Sequence, residues 1–153
     1  MIRRSWRGRS VGCDAVGVEV KICGLTRPGD AALAARLGAA YLGVVFAEST
    51  RQVGPAQARD IVKAAGGVPV VGVFVSHSVD EILRLRESAG LSAAQLHGSY
   101  DQEVRRRLKR ERLPVWVVQH IAGPRVDEAP ARRGAGGGAA MVEIGRASCR
   151  ERV

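Results

Sequence analysis

The stretch VPVVGVFVSHSVDEILRLRESAGLSAAQLHG, Val68–Gly98, decides the fold. Its first part, Val68 to Val75, is a short apolar run dominated by β-branched valine and predicts a buried strand. Ser78-Val79-Asp80-Glu81 then has the form of a capping box, in which the serine hydroxyl and the glutamate carboxylate each satisfy a backbone donor that a helix leaves unpaired at its start. Val79, Ile82 and Leu83 fall on one face of the helix that follows and are expected to point inward. Ala93 to Leu96 is a second short strand, closed by His97-Gly98. Strand, helix and strand in so short a span form the βα unit of a parallel sheet with a right-handed crossover.

The same alternation extends in both directions. Upstream, Val18 to Leu25 predicts a strand and Thr26 to Leu37 a helix. Pro28 lies in the first turn of that helix, Asp30 sits near the positive end of its dipole, and Gly38 supplies the stop. Tyr41 to Phe46 is the next strand, followed by a polar loop and a helix opening at Pro55. Ala58, Ile61, Val62 and Ala65 share one face of this helix, and Gly66-Gly67 end it. Downstream, Ser99-Tyr100-Asp101-Gln102 reads as a second capping box ahead of a basic helix carrying Val104 and Leu108. Leu113 to Ile121 reads as a fifth strand.

Two folds use this grammar. The open doubly wound sheet announces itself with a glycine fingerprint after its first strand, and Cys23-Gly24-Leu25-Thr26 is no G-x-G-x-x-G. The eight-fold β/α barrel is therefore expected. A complete barrel takes about 250 residues. The 153 residues of this chain would supply about half of one: an α/β partial TIM (β/α)8 barrel of the first four to five βα units, with parallel strands.

Composition narrows the function classes. Hydrophobic residues make up 46% and aromatic residues 4%, which suits short aliphatic strands covered by alanine-rich helices. No apolar run approaches the roughly 20 residues that cross a bilayer, and the N-terminal stretch lacks the apolar segment of a signal peptide. A cytoplasmic protein without a membrane partner is expected. Cys13, Cys23 and Cys149 are too few and too widely spaced for a disulfide framework or a metal pair, so a special cysteine must act alone. The net charge of +9 raises the question of nucleic acid. More than half of the basic residues sit in the two tails and along the helix of Arg105, Arg106, Arg107, Lys109, Arg110 and Arg112. No aromatic residue interleaves those of the helix to stack bases, so a solvated face is the expected role and no nucleic-acid partner is expected.

In a β/α barrel the chemistry gathers where strands give way to loops at their C-terminal ends. Cys23, at the end of the first strand, could reach the barrel mouth, although a free cysteine is as often plain core. Arg51, on the loop after the second strand, could hold a carboxylate in bidentate fashion, or be merely solvated. Gln95 and His97, at the end of the fourth strand, bring an amide and an imidazole to the same region, where a histidine is frequently only structural.

Taken together, VKICGLTRPGDA, YLGVVFAESTR, VGVFV and AAQLHG, in this order and spacing, resemble the first four strands of the phosphoribosylanthranilate isomerase family. The resemblance spans Val18 to Ile121, with KICG and QLHG its most specific parts, and these argue against the thiamine-phosphate synthase type of barrel. It implies an aldose–ketose isomerase of tryptophan biosynthesis. The reaction is the Amadori rearrangement of N-(5-phosphoribosyl)anthranilate to 1-(2-carboxyphenylamino)-1-deoxyribulose 5-phosphate, with no metal or organic cofactor. By motif position Cys23 would be the general base that removes the C2 proton, with Lys21 conjectured as a cation favouring its thiolate. Arg51 would bind the anthranilate carboxylate, and Gln95 and His97 would line the pocket near the sugar of the phosphosugar–anthranilate substrate.

The resemblance also sets expectations about what lies elsewhere. The family's general acid is an aspartate ending strand six, and its phosphate cradle follows strands seven and eight. Asp127 does not match that aspartate. Residues 1–17 are expected to be a basic extension that is not native or not ordered, 18–142 the partial barrel, and 143–153 a tail resembling translated sequencing adapter, so that Glu143 and Cys149 carry no role. On this reading the chain as given is expected to be inactive. The alternative is a half barrel that self-associates to cover its sheet edges without isomerase activity.

Overall fold

A computed structural model describes residues 19–119 and 140–142. The expected boundaries at 17 and 143, and Cys13, Asp127, Glu143 and Cys149, lie outside them. Six strands alternate with four helices in one parallel sheet whose spatial order equals the chain order. The strands are β1 (Lys21–Ile22), β2 (Tyr41–Val45), β3 (Val70–Phe74), β4 (Ala93–Leu96), β5 (Val115–Gln119) and β6 (Ala140–Val142). The helices are α1 (Pro28–Arg36), α2 (Pro55–Ala64), α3 (Val79–Ala89) and α4 (Gln102–Arg110).

The sheet is strongly curled. Parallel strands stand about 4.8 Å apart, so residues three strands apart on a flat sheet would be separated by roughly 14 Å. Yet Lys21 on β1 hydrogen-bonds Gln95 on β4, and the rings of Tyr41 on β2 and Trp116 on β5 meet edge to face at 4.7 Å. Only a barrel-like curvature brings such residues together, and the result is the half barrel that the alternation implied.

The helices clothe the convex face. Leu42, Val44 and Phe46 from β2 and its end, Val70 and Phe74 from β3, and Ala94 and Leu96 from β4 meet Ala31, Ala58, Ile61, Ile82 and Leu108 from the four helices in one buried cluster. Phe46 and Phe74 stack nearly parallel at 5.3 Å. Every residue of β3 and β4 is buried, as expected for strands with both faces covered.

Local signals explain most helix ends. α1 and α2 both begin on proline, whose missing N–H costs nothing there. Ser78 and Glu81 form the expected box at α3, with the Glu81 carboxylate held below its usual range mainly by its hydrogen bond from the Ser78 hydroxyl. α3 closes on left-handed Gly90. The second box is corrected: Asp101, not Ser99, caps α4 by accepting from the Val104 N–H at 2.8 Å. Tyr100 is drawn back into the loop, where its hydroxyl accepts from the His77 N–H at 2.9 Å, and the helix cannot begin before it.

The first strand is also shorter than the run Val18 to Leu25 suggested. It pairs with β2 on one side only, over Lys21 and Ile22. Along this edge Val20, Ile22, Leu33 and Leu37 are exposed, and a groove of about 370 Å³ runs between β1 and α1. Among the described residues no helix is long and apolar enough to cross a membrane.

Candidate active site

The C-terminal ends of β1 and β2 form one corner. Just beyond β1, the N–H groups of Gly24 and Leu25 both donate to the Gly43 carbonyl, at 3.0 and 2.9 Å, and fix the turn that follows Cys23. Cys23 is a free, exposed thiol. Gly24 adopts a left-handed φ of +79°, and a Cβ there would stand 2.6 Å from an Arg51 guanidinium nitrogen. The guanidinium therefore lies directly over the Gly24 backbone, next to Cys23.

The loop after β2 delivers Arg51 to this position by folding back on its own strand. Val53 N–H donates to the Val45 carbonyl at 2.9 Å, and the Gln52 side-chain amide donates to the Phe46 carbonyl at 2.9 Å. The Arg51 N–H reaches the Ser49 hydroxyl at 3.3 Å. Among the described residues Arg51 has no acidic partner in a salt bridge, so its planar donor fork is available to an external carboxylate.

Lys21 and Gln95 lie deeper on the concave face. Gln95 is the one buried polar side chain in the described core, 4% exposed, and its carbonyl oxygen accepts from the Lys21 ammonium. The same ammonium stands 5.6 Å from the Trp116 ring centre, a cation–π distance. The Lys21 ammonium is thus held by Gln95 and Trp116, and its stem passes beside the Cys23 sulfur. Gln95 is accordingly part of a cross-sheet tie and reaches the corner through Lys21. His97 follows β4, three strands along the sheet from Cys23, and its backbone N–H donates to the Phe74 carbonyl at 2.9 Å. Its ring is partly buried. The structure thus lays Arg51 over Gly24, the residue after Cys23, ties Gln95 to Lys21, and sets His97 at the end of β4, three strands along the sheet.

Three features of the rim had no sequence signal. Gly43 reads only as a small residue within a strand. Ser76, just past β3, takes a left-handed φ of 58° that non-glycine residues seldom adopt. His77 beside it is tethered to Tyr100, whose hydroxyl is pushed above its ordinary pKa chiefly by burial. Among the described residues no group of three or more His, Cys, Asp or Glu is arranged to hold a metal.

Comparison with known proteins agrees with this architecture. The family model of N-(5'-phosphoribosyl)anthranilate (PRA) isomerase matches residues 20–135. An N-(5'-phosphoribosyl)anthranilate isomerase of Chlamydia trachomatis is 46% identical over 84 residues, covering 53% of this chain and 40% of that protein. The solved phosphoribosyl anthranilate isomerase of Thermus thermophilus superposes with a TM-score of 0.66 at 43% identity, over 71% of this chain and 55% of that one. Another, solved in complex with reduced 1-(o-carboxyphenylamino)-1-deoxyribulose 5-phosphate, gives 0.66 at 37% identity over 70% of this chain and 56% of that one. The chain spans about half the length of these relatives, or less. With the family model matching most of its length, the chain belongs to the N-(5'-phosphoribosyl)anthranilate isomerase family.

Proposed function

We propose that this chain carries the strand-one to strand-five part of an active site for the Amadori rearrangement of N-(5-phosphoribosyl)anthranilate, a step of tryptophan biosynthesis in the cytoplasm. The observation that carries the reading is the corner in which the Arg51 guanidinium lies over Gly24, beside the exposed Cys23 thiol. The reaction needs a base at C2 of the sugar and a fixed position for the aromatic ring, which is joined to C1 through the amino nitrogen. A thiolate at Cys23 removes the C2 proton from the ring-opened iminium, whose positive nitrogen acidifies that proton, and the electron pair moves toward nitrogen to give the enolamine. Arg51 grips the anthranilate carboxylate through two parallel N–H bonds and so orients C2 toward the sulfur.

Gln95 and His97 complete the wall near the sugar, Gln95 doing so by holding Lys21. Protonation of the ring oxygen falls, by motif position, to the end of strand six and binding of the phosphate to the loops after strands seven and eight, past Val142 and outside the described residues. A solved relative holds a reduced product at its site, which supports the product aminoketose as the natural probe of this one.

The test is calorimetric titration of the chain with 1-(2-carboxyphenylamino)-1-deoxyribulose 5-phosphate, with turnover of the aminoaldose followed alongside. Binding that weakens about tenfold or more in Arg51→Ala, the range expected for loss of a charge-assisted bidentate contact, supports the reading. Where turnover is present, Cys23→Ala should abolish it with the fold intact. Equal affinity of the parent and Arg51→Ala, or full turnover in Cys23→Ala, would overturn it.

A further inference from the structure

The geometry points to Gly43 as a positioning residue for the Cys23 thiol, an inference that rests on the role proposed for Cys23 above. Gly43 lies in the middle of β2 and is buried. Were it to carry a Cβ, that atom would stand 2.8 Å from the Cys23 sulfur, 2.9 Å from the Lys21 Cε and 3.2 Å from the Cys23 Cα. Real Cβ atoms do not approach neighbours so closely. The thiol and the Lys21 stem therefore share one notch on the concave face, a notch that exists because β2 has no side chain at this point.

The Gly43 backbone acts on the same corner. Its carbonyl accepts from both Gly24 and Leu25 and pins the turn that carries Arg51's platform. One residue thus holds the corner from beneath with its carbonyl and clears room for the sulfur with its missing side chain. A side chain here that is not bonded to the sulfur turns it out of the notch and away from the carbon that Arg51 presents to it, whereas a cysteine can relieve the close approach by bonding to it.

Gly72, the glycine of β3 that pairs with Val44, provides the contrast. A Cβ there would meet Leu91 at 2.7 Å and the Phe74 ring at 2.8 Å, so its bareness serves the packed convex core and touches nothing at the rim. A substitution at Gly72 should disturb stability alone, whereas one at Gly43 should move the thiol.

The experiment uses Gly43→Cys, Gly43→Ala and Gly72→Ala in the full chain. A disulfide places each Cβ about 3 Å from the partner sulfur, close to the separation found here, so folded Gly43→Cys should link to Cys23 under mild oxidation, as read by peptide mapping. Under reducing conditions, iodoacetamide labelling at Cys23 should change about fivefold or more in Gly43→Ala and stay within about twofold in Gly72→Ala, because access and surroundings of the sulfur govern its reactivity. Absence of that disulfide in a folded Gly43→Cys chain, or an unchanged labelling rate in Gly43→Ala, overturns the inference. If Gly43→Cys does not fold, the alanine variant decides. Neither readout needs isomerase turnover, so a failed function assay and a failed notch are told apart.

Discussion

The two faces of one curled sheet follow different rules. On the convex face, alternate residues of β2, β3 and β4 are Leu, Val, Phe and Ala, and they meet helical Ala, Ile and Leu with no polar side chain among them. The concave face, one residue out of step along β1 to β5, carries Lys21, Tyr41, Gln95 and Trp116, joined by one hydrogen bond, one cation–π contact and one aromatic pair, with Cys23 beside the Lys21 stem. The period of two along a strand lets five-residue segments serve both purposes at once. The convex face gains its stability from volume filled, and the concave face holds its geometry through a few directional contacts. Stability and chemistry can therefore be disturbed separately.

The largest expected effect lies on the convex side. Phe74 is fully buried and stacked on Phe46, and Phe74→Ala should cost about 3–5 kcal/mol in urea unfolding, enough to leave little folded chain. A loss below about 1 kcal/mol would show that the convex cluster is not the core. On the concave side, Gln95→Leu leaves the Lys21 ammonium without its acceptor and should cost about 1–3 kcal/mol. Adding Lys21→Met to it should restore part of that loss, since both partners of the tie are then apolar. Strict additivity of the two changes would mean that the cross-sheet tie contributes nothing. The smallest effect is at the α4 cap, where Asp101→Ala should cost about 1 kcal/mol. Ser99→Ala should change stability by less than about 0.5 kcal/mol, and the reverse ranking would restore the serine as the cap.

The convex face was largely legible in the sequence, because it depends on local periodicity. The valine run at β3 and the Ala58/Ile61/Ala65 stripe report burial, and the Ser78–Glu81 box a helix start, from neighbours within a turn or a strand. The α4 cap misled because Ser-x-x-Gln satisfies the same local pattern as a true box, and the competing demand came from far along the chain, where the His77 N–H needs the Tyr100 hydroxyl. β1 misled for a related reason. Its apolar run is long, but Gly24 turns left-handed and the Gly24 and Leu25 N–H groups both go to the Gly43 carbonyl, so the regular ladder stops after Ile22.

At the rim, Cys23 and Arg51 were legible from strand ends and motif. The link between Lys21 and Gln95 was not, because it spans three strands and exists only through the curl. The sequence places Lys21 two residues from Cys23 and so suggests that its charge serves the thiol. The folded sheet adds a buried amide and an indole face that hold the ammonium in place.

The strip of Val20, Ile22, Leu33 and Leu37 along the β1 edge also gives the molecule a particular character in suspension. A chain of net charge +9 repels its own copies at low ionic strength, and that repulsion keeps the bare strip from meeting another. Added salt shortens the reach of the repulsion to about 8 Å near physiological strength and leaves the apolar strip unscreened. The usual remedy of raising salt to quiet a basic protein should therefore weaken the repulsion between copies while leaving this strip as exposed as before.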